Sequence, residues 1–152
     1  MSQDHPAMVA ARASWSAVQR KQKDEWLALM ADDICIEDPI GVSPLDPIGK
    51  GHCGKPAVRA FWDRTIAPNS IRIETFQSYA AGQESAHRMK LTSTFPNGGS
   101  LEVEGIFSYR VNDAAGLTDQ RARIAAFGGR KAIIARGSFG YSPPPGTKPV
   151  YN

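Results

Sequence analysis

An α+β fold is what the sequence predicts, with helices gathered early in the chain and a mostly antiparallel sheet curling over them. Three observations carry that prediction. Apolar residues recur at three- and four-residue spacing in segments before residue 71. From residue 71 onward the period changes to two, as in strands with one buried face. Between two of these alternating runs stands "PNGG", 96–99, a hairpin turn.

The first helix is expected from about Ala7 to Lys21, where Ala10, Ser14, Ala17, Val18 and Lys21 share a face and its apolar members turn to the core. Asp24 reads as the N-cap of a second, shorter helix over 25–32, "EWLALMAD", with Trp26, Leu27, Leu29 and Met30 as its apolar side. A short strand, Ile34-Cys35-Ile36, then runs into "EDP". The segment 39–54, "PIGVSPLDPIGKGHCG", is punctuated by Pro and Gly and predicts a loop. Pro56 suits the first turn of a third helix, "PAVRAFWDRTI", whose inward residues are Val58, Phe61, Trp62 and Thr65. Strands are expected over 71–81, 86–95, 100–111 and 117–127; in the third, Leu101, Val103, Phe107, Tyr109 and Val111 share a face. The glycines and prolines beyond predict an irregular tail over 128–152, placed to drape over a neighbouring subunit.

Composition narrows the function classes. A chain of 152 residues, 41% hydrophobic and 22% charged, reads as one globular domain with a real core. The net charge of +3 is spread without a basic stripe, so no nucleic-acid partner is expected. No apolar run approaches bilayer length, so no membrane span is expected. The start, "MSQDHPAMVAARASW", lacks the basic and apolar regions of a secretory signal, and the expected location is the cytoplasm. Cys35 and Cys53 form no C-x-x-C pair and read as reduced thiols. His52 and Cys53 with the distant His87 match no common ligand spacing, and no metal is expected.

Two residues stand out chemically. In the strand before "DP", alternation puts Ile34, Ile36 and Asp38 on one face and Cys35 and Glu37 on the other. If the isoleucine face is buried, Asp38 is a carboxylate among apolar groups, where burial raises its basicity and makes it a candidate base. It serves equally well, on spacing alone, as a cap for the turn at Pro39 and Gly41. His87 shares its face with Met89, Leu91, Ser93 and Phe95, either as a packed residue or as a catalytic one.

The run "MADDICIEDPIG", 30–41, together with the later "GK" and "AVRAFW", resembles the nuclear-transport-factor-2-like (NTF2-like) superfamily over residues 8–125. The branch it looks most like is that of the Δ5-3-ketosteroid isomerases and SnoaL-like proteins. The resemblance implies an NTF2-like cone over residues 1–127, a homodimer, an apolar pocket between helices and sheet, and no cofactor. It also implies that Asp38 is the general base, carrying a proton from one steroid carbon to another. In the family a tyrosine and a protonated aspartic acid hydrogen-bond the developing enolate. Those two positions fall here on Ser14 and Phe107, and a further pocket tyrosine falls on Trp62. The implied lining of the substrate site is Ser14, Val18, Phe61, Trp62, Val103 and Phe107. The implied function is steroid Δ-isomerase-like proton transfer without a cofactor. One alternative is dehydration of a hydroxysteroid or polyketide by Asp38 and His87, and another is binding of a steroid-like hydrophobe without chemistry.

Overall fold

The computed structural model describes residues 5–124; the expected tail over 128–152 and the last residues of the strand expected to reach 127 lie outside them. In chain order the elements are α1 (Pro6–Gln19), α2 (Lys23–Ala28), β1 (Met30–Glu37), β2 (His52–Cys53), α3 (Lys55–Phe61), β3 (Ser70–Ala81), β4 (Glu84–Thr94), β5 (Ser100–Val111) and β6 (Leu117–Ile124). α3 runs on into a wider, π-helical turn over Trp62–Ile66, where Ala67 N donates to Trp62 O at 2.8 Å. The expected α+β order is what the chain forms.

One six-stranded curved sheet, ordered β2-β1-β6-β5-β4-β3, lies against the helices. All neighbours are antiparallel except β1 and β6, which run parallel. Its curl has a local cause. The β3–β4 register slips between Thr75 and Gln77, leaving Phe76 as the extra residue of a bulge that tightens the twist. Phe76 faces outward, and the Arg88 guanidinium lies 4.6 Å over its ring. At Gly105 the β5 and β6 backbones crowd: a Cβ there would stand 2.0 Å from the Arg123 carbonyl oxygen, so only glycine fits.

α1 starts at Pro6, with the His5 Nδ1 accepting the Ala7 N–H at 3.1 Å as its cap. Ala7, Ala10, Ala11 and Ala17 make its buried side, small enough to bring the helix close to the sheet. Behind them Trp26, Met30, Ile34, Ile36, Val58, Met89, Phe107 and Leu117 close the core. Burying one large apolar side chain contributes about 1.5–3 kcal/mol.

Three expectations are corrected. α2 ends at Ala28 rather than at residue 32, because Met30 is drawn into a ladder with Leu117, and Leu117 N donates to Leu29 O at 2.9 Å. Its N-cap is Gln22, not Asp24; Asp24 and Glu25 occupy the first turn, where their charge complements the helix dipole. The cysteines are not free thiols. Within the expected loop, His52–Cys53 forms β2 against β1, so Cys53 stands directly opposite Cys35 and the two form a disulfide, Cα to Cα 4.1 Å. Among the described residues no helix is long and apolar enough to cross a membrane.

Candidate active site

Between the helices and the concave face of the sheet lies a cavity with ≈ 930 Å³ of empty space, which includes solvent at its open mouth. α1 contributes Ser14, Trp15 and Val18, and α2 contributes Trp26. Phe61, Thr65, Ile66 and Asn69 come from α3 and the turn after it. The sheet contributes alternate residues: Ile71 and Ile73, Met89, Leu91 and Ser93, Leu101, Val103, Phe107 and Tyr109, then Gln120 and Ile124. Asp38 and Leu45 complete the wall from the segment that follows β1. Apolar walls with a few polar groups are what an organic ligand requires.

Among the described residues Asp38 is the one carboxylate on this wall. The alternation of β1 puts it there, since Ile34 and Ile36 on the same side are buried, at 0% and 1% exposure. Its neighbour Glu37 points to the other face and accepts from Arg121 Nε at 2.5 Å. Among the described residues no donor reaches the Asp38 oxygens, and the segment after it is tied to β6 by Ile40 N donating to Ala122 O at 2.9 Å. The capping role for Asp38 is therefore not the one it plays. Burial pushes its carboxyl up to about 6, because the cavity solvates the ionised form less well than water does.

The hydroxyls of Ser14, Thr65, Ser93 and Tyr109 share the wall with it, and two of them are held by indoles. Tyr109 Oη accepts the Trp15 indole N–H at 2.8 Å, and Ser14 Oγ accepts the Trp26 indole N–H at 3.1 Å. Tyr109 is buried, and desolvation together with the Asp38 charge raises its phenol further above its ordinary value. It pairs in register with Gln120 of β6, which in turn pairs with Ile36 of β1, two residues before Asp38. Tyr109, Gln120 and Asn69 were not anticipated as wall residues. For Tyr109 the signal was present, because it alternates in phase with Val103 and Phe107.

Of the residues expected in the site, Ser14, Val18, Phe61, Val103 and Phe107 stand on the wall with Asp38. Trp62 does not: it is 3% exposed and packs on Trp26, ring centroids 5.1 Å apart, one layer behind the cavity. His87 also lies outside the wall, and the expected pairing with Asp38 is not formed. It is 1% exposed and both ring nitrogens are engaged: Nδ1 with Ser78 Oγ at 2.7 Å and Nε2 with Ser85 Oγ at 2.8 Å. Ser85 donates its own proton to Ala7 O, which leaves its oxygen to accept from Nε2–H, so Nδ1 is the acceptor. Desolvation, and then the nearby Arg12 charge, lowers His87 to about 4. It is a neutral, fully satisfied imidazole.

Residues 11–117 match the family model described as the SnoaL-like domain. No curated protein matches the chain. Among solved structures, RV0760c of Mycobacterium tuberculosis in complex with estradiol-17beta-hemisuccinate is 44% identical, with a TM-score of 0.76 over 78% of this chain and 93% of that one. The Δ5-3-ketosteroid isomerase of a Mycobacterium species is 42% identical, TM-score 0.76, over 78% and 92%. A computationally designed 17-OHP binder is 39% identical, TM-score 0.77, over 79% and 93%.

Proposed function

The chain belongs to the SnoaL-like family of the NTF2-like superfamily, and from that premise we propose that it is a ketosteroid isomerase-like enzyme with Asp38 as general base. The observation that carries the reading is a single carboxylate without a hydrogen-bond partner among the described residues, on the wall of an apolar cavity, with its pKa raised to about 6. A base of that strength remains ionised at neutral pH yet holds a proton better than a surface aspartate. The relatives that bind estradiol hemisuccinate or isomerise a ketosteroid support a steroid-like ligand.

In the proposed reaction Asp38 takes a proton from the carbon between a ketone and an isolated double bond. The C–H electron pair passes into a dienolate. The same carboxyl then returns the proton at the far end of that double bond, leaving a conjugated enone. Atoms and electrons balance without a cofactor. The dehydratase alternative needs a second acid at the cavity, and His87 stands behind the wall with both nitrogens occupied. Binding without turnover is the second reading, favoured by the designed 17-OHP binder and by Ser14 and Phe107 standing at the positions of the family's two enolate donors. A homodimer belongs to the same proposal; Phe76, Tyr79 and Ile106 are exposed on the strands that would meet a second copy.

The test is incubation with a 3-keto-5-ene steroid while following the absorbance of the conjugated enone. Turnover that disappears in Asp38→Asn supports the enzyme. Saturable binding without any enone supports the binder, and neither binding nor turnover overturns the steroid reading.

A further inference from the structure

We propose that Tyr109 and Ser14 form a two-donor site for a ligand carbonyl, each hydroxyl anchored by an indole so that its own proton is left for the cavity. The inference rests on the steroid reading above and supplies the part that reading lacks, a grip on the ketone oxygen.

An indole N–H can only donate, so in both contacts the hydroxyl oxygen must be the acceptor. Trp15 donates to Tyr109 at 2.8 Å and Trp26 to Ser14 at 3.1 Å. Each hydroxyl keeps one proton, and among the described residues none accepts it. Tyr109 is 6% exposed and Ser14 3%, so these protons cannot turn to bulk water and both residues face the cavity. A buried donor without a partner is costly, and a ligand oxygen relieves it. An oxygen that already accepts one hydrogen bond also donates its own proton more strongly.

The arrangement agrees with Asp38 as base. The Asp38 charge is felt at Tyr109 and, with burial, keeps the phenol protonated, so Tyr109 acts as donor and not as acid. When Asp38 takes a proton it becomes neutral, and the negative charge moves to the oxygen that the two hydroxyls hold. Donors aimed at such an oxygen lower the barrier because the charge develops there. Tyr109 thereby takes the role for which positions 14 and 107 no longer carry a tyrosine and an aspartic acid.

The probes are a 3-keto-4-ene steroid, whose enone absorbance shifts to the red when its oxygen accepts hydrogen bonds, and the same steroid lacking the 3-oxygen. With the unaltered protein the ketone should show the shift and bind roughly tenfold or more tighter than the deoxy compound. Tyr109→Phe and Ser14→Ala should each reduce both effects, and together abolish them, while the deoxy compound binds as before. A red shift that survives the double variant overturns the proposal and leaves the Asp38 reading standing. If neither steroid binds, the steroid reading fails, and 2-cyclohexenone at high concentration reads the donors directly. Its shift, lost in Tyr109→Phe, supports them; its absence, or its persistence in the double variant, overturns them.

Discussion

The His87 imidazole meets the Trp15 indole edge-on, ring centroids 4.7 Å apart and planes at 86°. Trp15 in turn holds the Tyr109 hydroxyl. The histidine thus supports the cavity from behind, through an aromatic layer it never crosses. That relationship separates groups that can touch a ligand from groups that set the wall in place.

The pH profile of isomerisation should follow Asp38. Its carboxyl titrates at about 6 and only the ionised form accepts a proton. kcat/KM should be level above that pH and fall about tenfold per pH unit below it. A profile that stays level down to pH 4.5 would remove Asp38 from the base's role.

Asp38→Asn should make the protein more stable at neutral pH. The folded-state pKa is raised from 3.8 to about 6, so the stability associated with the protonated carboxyl is fully present below the unfolded value and lost as pH rises through about 6. At pH 7.5 this amounts to up to about 3 kcal/mol against the ionised wild type. Urea midpoints of the two proteins should diverge at pH 7.5 and converge near pH 3.5. Equal midpoints at both would show that the carboxylate is well solvated.

His87→Gln should alter acid stability and leave the chemistry largely intact. The folded state holds the imidazole neutral down to about 4, while the unfolded chain protonates near its ordinary 6.5. The sign is therefore opposite to that of Asp38: stability is present above 6.5 and drains away as pH falls toward 4, by about 3 kcal/mol in all. The variant should lose that slope between pH 6.5 and 4 in denaturant titrations while isomerising the steroid at close to the parent rate. A collapse of rate with unchanged affinity would return His87 to the reaction.

Cys53→Ser should destabilise the protein by about 3 kcal/mol, the loop-closure expectation for a bridge spanning 18 residues. The unfolding midpoint should also fall when the wild type is treated with a reductant, and the variant should be indifferent to it. A reductant-insensitive wild type would mean the bridge does not form in solution.

Local signals carried most of the fold. The two-residue period gave β5 to its ends, 100–111, and alternation through Ile34 and Ile36 gave the direction of Asp38. What was hidden depended on partners far along the chain. Met30 enters a strand because of Leu117, and Cys53 meets Cys35 because two residues pair across a loop. His87 was placed on the right face of β4, yet whether it touches the cavity was decided by Trp15 on another element. The indole bonds to Ser14 and Tyr109 are likewise products of packing, with no trace in spacing.

The parallel pairing of β1 with β6 has a consequence for the order in which the molecule can assemble. Glu37 and Arg121, joined across that pair, are 84 residues apart in sequence. Apart from the two residues of β2, the strand leading to Asp38 has no sheet neighbour until β6 has been synthesised. Such distant closure is slow, since a long loop must be ordered before its contacts return any free energy. On the ribosome Asp38 is therefore made early and seated last. Until residue 121 emerges, the growing chain contains helices and hairpins but no closed cavity around Asp38.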